Sequence, residues 1–251
     1  MEMVAYRLKP IMTLSGYPVI LLANYFIFSA IFKSSPEIAG YSVNEAVTYM
    51  SVAWFLRSLL KTDIDRLIGY RVRSGDIALD LIRPVYYPSL VFWQGLGRTI
   101  GRGVFVAAPL IVFGVLVLPL TRPNGLQDWL FFALALSIGY MMAFCINLLV
   151  GIFSFFIEYN LGLSWTVDMT VRLLAGLLIP LDFFPKGFAT VLMFMPFRYI
   201  YFVPIQIYLG RIPISQMAST FGVGLTWVAA MFLITHITYA TGVRRLGIQG
   251  G

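Results

Sequence analysis

The chain has 251 residues, of which 59% are hydrophobic and 12% charged, and its mean hydropathy is +0.85. Soluble domains run about 45–50% apolar and about 25% charged, so an ordinary water-soluble domain and a disordered chain are both excluded. One Cys and one His exclude an intrachain disulfide and the common multi-Cys and multi-His metal sites, and a net charge of +7 on so apolar a chain reads as membrane topology; nucleic acid is not an expected partner, because no basic soluble domain is present.

A membrane-crossing helix needs about 20 mostly apolar residues. Residues 11–32 form an uncharged run of 22 and predict the first span. This run is too long for the apolar region of a signal peptide, and Phe28-Ser-Ala-Ile-Phe32 is a poor cleavage site, so it is expected to be retained. A second span starts near Ala46 and must run on past Arg57. Uncharged runs of 19 residues at 103–121 and of 29 at 129–157 predict the third and fourth. The fifth, 161–181, carries Asp168 and Arg172, and the last lies within an uncharged run of 32 at 212–243. The expectation is a single all-α membrane domain over 1–251, with six transmembrane helices at 15–33, 45–62, 101–121, 129–157, 161–181 and 216–241. With the N-terminus inside, twelve Lys and Arg fall in inner segments and five in outer ones. Lys and Arg are retained on the cytoplasmic side, so both termini are expected there, in the plasma or inner membrane.

The inner connection 63–100 is dense in charge. Residues 57–102 carry eight of the eighteen basic residues and four Asp. Ile64, Leu67, Ile68 and Val72 recur at helical spacing between Asp63, Asp65, Arg66 and Arg71, which predicts an amphipathic helix. Arg73, Ser74, Gly75 and Asp76 then read as a turn, with Ser74 or Asp76 capping a short helix from Ile77 to Ile82 that Arg83-Pro84 stops, with Pro88 soon after.

Asp168 and Arg172 sit four apart on the fifth span and are expected to pair, as a structural ion pair near the inner boundary. The outer connection 182–211 is far more apolar than a solvent loop, and Pro180, Pro185, Pro196, Pro204 and Pro213 interrupt it. Its uncharged stretches of 11 and 12 residues are too short to cross the bilayer, so a re-entrant hairpin or interfacial helices are expected, buried in protein or lining a cavity. Gly95, Gly97, Gly101 and Gly103 suit close packing or a bend at the third span. His236 is expected to pack or hydrogen-bond, and Cys145 to be a small buried residue.

No G-x-x-x-x-G-K-[ST], G-x-S-x-G or H-E-x-x-H motif is present, so ATP hydrolysis by this chain alone is not expected. The stretch Val72-Arg-Ser-Gly-Asp-Ile-Ala-Leu-Asp-Leu-Ile-Arg-Pro-Val85 resembles the permease subunits of ABC-2-type exporters. Gly40-Tyr-Ser-Val-Asn-Glu45, Leu178-Ile-Pro-Leu-Asp-Phe-Phe-Pro185 and Met195-Pro-Phe-Arg-Tyr199 fit the same family, in the same order. The resemblance implies a membrane pathway formed with a second, identical or related permease chain among membrane lipid. It implies two separate ATP-binding cassette subunits, which hold ATP and Mg, with no cofactor in this chain. A coupling helix seated on the ATPase would fall on Arg73, Ser74, Gly75, Asp76, Ile77, Asp80, Leu81 and Arg83. An interfacial helix before the first span would fall on 4–15, and an outer gate on Pro180, Phe183, Phe184, Pro185, Pro196 and Phe197. Two other readings stay open: an ion-coupled secondary transporter, which would want paired repeats not seen here, and a non-transporting scaffold or immunity protein.

Overall fold

A computed structural model describes residues 2–35, 37–123, 125–157 and 160–245, with side chains from residue 16 onward. Helix α1, Glu2–Ile31, contains the first apolar run and is followed by a minimal antiparallel hairpin, β1 Glu37–Ile38 with β2 Tyr41–Ser42. The expected separate helix at 4–15 is instead the backbone start of α1, and its side chains lie outside the described residues.

Helix α2, Val43–Leu60, begins at a capping box: the Ser42 hydroxyl accepts from the Glu45 amide, and the Glu45 carboxylate accepts from the Ser42 amide at 2.9 Å. Thirteen of its 18 residues are buried, including the unbroken run 46–53. A helix buried nearly all round belongs at the centre of a bundle. Helix α1 and the helical residues 108–117 flank it, and residues 202–208 close over it.

The inner connection is folded, not loose. Helix α3, Ile64–Ser74, follows the expected amphipathic pattern, with Ile64 and Ile68 at most 1% exposed. Helix α4, Ile77–Leu81, matches the expected short helix, but neither Ser74 nor Asp76 caps it through a side chain; the Ser74 hydroxyl donates to the Asp76 carboxylate at 2.7 Å. Gly75 at φ +77° ends α3 in the left-handed conformation that glycine adopts freely.

The third long helix starts earlier than the expected 101. Helix α5, Tyr87–Arg102, runs through a π-helical segment, Gly103–Ala107, into α6, Ala108–Val117. Pro88 lies in the first turn of α5, where its missing N–H has no intrahelical acceptor to lose. Helix α7, Leu126–Ile152, is the organising strut: α11, Ile214–Arg245, packs along it, α3 covers its end, and α10 lies against its middle and start. At Gly139 a Cβ would stand 2.9 Å from the Tyr199 carbonyl, so glycine is what lets that backbone approach α7.

The expected fifth span, 161–181, is helical only as α8, Leu161–Leu174. The Gly176 amide donates to the Leu173 carbonyl at 3.3 Å and the Leu177 amide to the Arg172 carbonyl at 3.0 Å, with Gly176 at φ +81°. This is a Schellman end, which turns the chain out of the helix axis. A short 3-10 turn Leu181–Phe183, α9 Lys186–Phe194, a second 3-10 turn Pro196–Tyr199 and α10 Phe202–Tyr208 complete the outer connection. All six residues 202–207 are buried, in keeping with apolar short helices that water would not tolerate.

Among the described residues, three helical stretches are long and apolar enough to cross a membrane: Tyr87–Val117, Leu126–Phe155 and Ile214–Arg245. The most apolar 18 residues of the first and last are only 17% and 11% buried. Side chains such as Phe105, Leu116 and Leu233, 76%, 79% and 58% exposed, form an apolar outer surface far larger than a water-soluble monomer carries.

Candidate functional site

Two apolar cores divide the molecule. The larger unites α1, α2, α6, α7 and the outer connection. The smaller joins Ile64, Ile68, Ile77, Tyr87 and Val91 to Phe144, Leu148 and Ile152 of α7. The α3–α4 module is therefore anchored by its own core to the end of α7.

That anchoring decides which of the expected docking residues face outward. Ile77 and Asp80 are 3% and 4% exposed and point into the molecule. Asp80 accepts from Arg71 and lies 4.0 Å from Arg83. Leu81 is half-buried against the smaller core. Arg73, Ser74, Gly75, Asp76 and Arg83 are exposed. Beside them stand Leu79 and Ile82, 66% and 79% exposed and three residues apart on one face. Leu79 was not singled out by the sequence, because helical spacing does not say which of two apolar stripes on so short a helix turns inward.

The expected Asp168–Arg172 pair forms, with Arg172 Nη2 2.6 Å from Asp168 Oδ2. A third member, invisible in the sequence, completes it: Arg57 Nη2 of α2 reaches Asp168 Oδ1 at 2.8 Å from 111 positions away. Arg57 is 8% exposed, so the pairing offsets a large desolvation cost. Arg57 and Asp168 line a cleft between the end of α2, α7 and α8. Ile200 and Tyr201, both at most 2% exposed, form its floor, and Lys61 and Arg66 stand at its mouth. One wall is apolar, made by Ile146, Val150, Val167 and Val171.

Asp63 at the mouth is bonded by Arg102 at 2.6 Å, with Lys61 at 3.5 Å and Arg66 at 3.9 Å. Burial pushes its carboxyl up, but Lys61, Arg102 and Arg66 outweigh burial and hold it below the usual carboxylate range. Asp65, 6% exposed and without an ion pair among the described residues, moves the other way: burial raises it. Arg66 also stacks 5.2 Å from the Trp165 ring centre.

At the far end of the bundle a second polar group was missed by the sequence. The Tyr41 hydroxyl donates to Asp182 Oδ2 at 2.6 Å, and Gln206 Nε2 reaches both, at 2.6 and 2.8 Å. Arg211 stacks 3.7 Å from the Tyr41 ring centre and donates to the Gly40 carbonyl at 3.0 Å. The outer connection thus leaves the Tyr41 level at Asp182, reaches the cleft floor at Tyr201, and returns to Tyr41 at Gln206. The Phe202 amide meets the Ala175 carbonyl at 3.1 Å on the way.

The six expected gate residues are not one cluster. Pro180 is buried and Phe183 packs edge-on against Tyr41, 5.5 Å between ring centres. Phe184 meets Phe188, and Pro185 is exposed at the start of α9. Pro196, buried, and Phe197, half-buried, lie in the 3-10 turn toward the opposite tip of the segment. His236 Nδ1 lies 2.7 Å from the Tyr86 hydroxyl, and Cys145 is buried in the smaller core.

Long apolar helices around a buried central helix define a polytopic membrane protein. The family described as ABC-2 family transporter protein matches residues 19–250, and the chain belongs to that family. It is a permease-type membrane component with no ATPase motif of its own. No curated protein and no solved structure matches the chain.

Proposed function

We propose that this chain is the permease subunit of an ATP-driven exporter, powered by a separate ATP-binding cassette protein that docks on the α3–α4 module. The observation that carries this reading is the exposure of Leu79 and Ile82 on a module whose inner face is fixed by its own core. An apolar ridge flanked by Arg73, Asp76 and Arg83 is the composition of a protein contact: greasy centre, polar rim. A small, internally packed module also moves as one piece, as transmission of a displacement requires.

In this reading α1, α2, the segment 161–181 that begins with α8, and the three long helices make six crossings in the plasma or inner membrane. Both termini and the α3–α4 module face the cytoplasm. The segment from Asp182 to Gln206 is a re-entrant hairpin that closes the outer end, with Phe183 and its neighbours as the outer gate. Two permease chains and two ATPase subunits make the complex, and ATP with Mg binds in the ATPase partner. ATP binding closes the ATPase pair and the two permeases rock. That shift requires ATP to bind the two conformations with different affinity.

The test is Leu79→Asp combined with Ile82→Asp. Both side chains are exposed, so the thermal midpoint of the purified permease should hold while ATPase co-purification is lost. Retention of the ATPase together with substrate-stimulated hydrolysis would sink the docking assignment.

A further inference from the structure

The charge cluster around the cleft between α2, α7 and α8 has an imbalance that the ion pairs do not remove. Asp168 is shared by two cations, Arg57 and Arg172. Asp63 is shared by three, Lys61, Arg66 and Arg102. Arg57, Lys61 and Arg66 line the cleft beside Asp63, Asp65 and Asp168, while Arg172 and Arg102 stand outside its lining, so the cluster as a whole holds five cations and, Asp65 aside, two carboxylates. Counting Asp65 as ionised still leaves five against three. In water such an excess would be screened, but Arg57 and Asp65 are under a tenth exposed, where screening is weak.

A hydroxyl points the same way. Thr62, 1% exposed, lines the cleft and carries an oxygen without a hydrogen-bond partner among the described residues, whereas the Ser164 hydroxyl is turned to Asp65. Buried hydroxyls of this kind normally find an acceptor or a donor. Across from the charges stands the dry wall of Ile146, Val150, Val167 and Val171.

We propose that this cleft binds an anionic amphiphile, its phosphate or carboxylate head held between Arg57, Lys61 and Arg66 and its hydrocarbon part laid along the α7–α8 wall. A free anion would satisfy the cations but leave the wall bare, and a neutral lipid would satisfy the wall but leave the cations unmatched. As the cargo of the pathway this site rests on the exporter reading; as a binding site it does not. Its source is either a bilayer lipid or an exported solute of the same chemistry.

The experiment uses the full chain alone, in a neutral maltoside detergent, with dodecyl phosphate as probe. Saturable binding with a rise in thermal midpoint is expected. Inorganic phosphate at the same concentration should give no rise. Lys61→Gln with Arg66→Gln, both at half-exposed positions, should weaken binding roughly ten-fold or more, the loss of charge-assisted contacts. Arg57→Gln should abolish binding; because that variant removes a buried ion pair, the Lys61 and Arg66 variant is the deciding one. Unchanged affinity in that variant, no binding at all, or a full effect from inorganic phosphate overturns the proposal. Reconstitution with phosphatidylglycerol or with phosphatidylcholine separates the sources: displacement of the probe by phosphatidylglycerol assigns the site to bilayer lipid, and no displacement assigns it to a solute. Failure of binding with ATPase co-purification intact overturns this site and leaves the exporter reading standing. Binding without any ATPase partner does the reverse.

Discussion

The Tyr41 hydroxyl and the Asp182 carboxylate are 2.6 Å apart across 141 positions of chain, and they join the β1–β2 hairpin to the start of the outer connection. Burial first, and then its bond to Asp182, raise the Tyr41 phenol well above its ordinary range, so it stays protonated and donates throughout the physiological range. Gln206 adds a second donor to the same Asp182 oxygen. Tyr41→Phe should cost about 1–3 kcal/mol, because it strips a donor from a half-buried carboxylate. The measurement is the thermal midpoint in detergent, and an unchanged midpoint would show that Gln206 alone satisfies Asp182.

Gly176 and Tyr49 make a second long-range test. Tyr49 donates to the Gly176 carbonyl at 2.8 Å, and a Cβ at Gly176 would lie 2.7 Å from the same hydroxyl. Gly176→Ala should cost about 1–2 kcal/mol for the left-handed conformation, and more for the displaced hydroxyl. Tyr49→Phe removes the clashing oxygen. The double variant should therefore be less damaging than the sum of the two singles, as a double-mutant cycle in thermal stability would read. Simple additivity would refute the contact.

Within the Arg57–Asp168–Arg172 cluster the two arginines are not equivalent. The Arg57 side chain is 9% exposed and that of Arg172 is 23% exposed. Asp168→Asn strands a buried guanidinium and should cost about 3 kcal/mol or more. Arg172→Gln leaves the Arg57–Asp168 pair intact and should cost about 1 kcal/mol or less. Equal effects of the two substitutions would mean that Arg57 has another partner for its charge.

Asp63 and Asp65, two positions apart, should respond to pH with opposite sign. The folded Asp63 carboxyl is lowered, so its stabilisation is present above its unfolded value of 3.8 and is lost as pH falls below it. The folded Asp65 carboxyl is raised, so its ionised form costs stability at neutral pH and the cost disappears once pH falls below 3.8. Asp65→Asn should therefore raise the thermal midpoint at pH 7 and lose that gain in acid. A gain that persists unchanged in acid would assign the effect to something other than charge.

Much of the framework could be read from residue spacing. The Ile64–Ile68 stripe foretold α3, and the four-residue interval of Asp168 and Arg172 foretold their pair, because both are local regularities of a helix. The Ser42–Glu45 capping box is an equally local signal, a Ser followed three residues on by Glu. What escaped was set by distant parts of the chain. The apolar run past Leu174 gives no sign that α8 ends there, since Gly176 is demanded by Tyr49 and by the turn, not by its neighbours. Arg57 looked like a topology charge because Asp168 lies 111 positions on. Ile77 and Leu79 are both plain apolar residues in sequence, and only the core beneath α4 separates an inward anchor from an outward ridge.

The π segment Gly103–Ala107 sets the angular phase between α5 and α6. A π turn holds about one residue more than an α turn, and one residue is about 100° of helical rotation. Deleting a single residue there would restore an unbroken α-helix while swinging every α5 side chain by that angle around the axis. Val91 and Gly95, now turned inward, would swing sideways out of the core, and Arg102 would leave Asp63. The azimuth of the whole α3–α5 assembly about the long helix is thus keyed by one residue, and a chimaera between relatives should be joined on one side or the other of this segment, never within it.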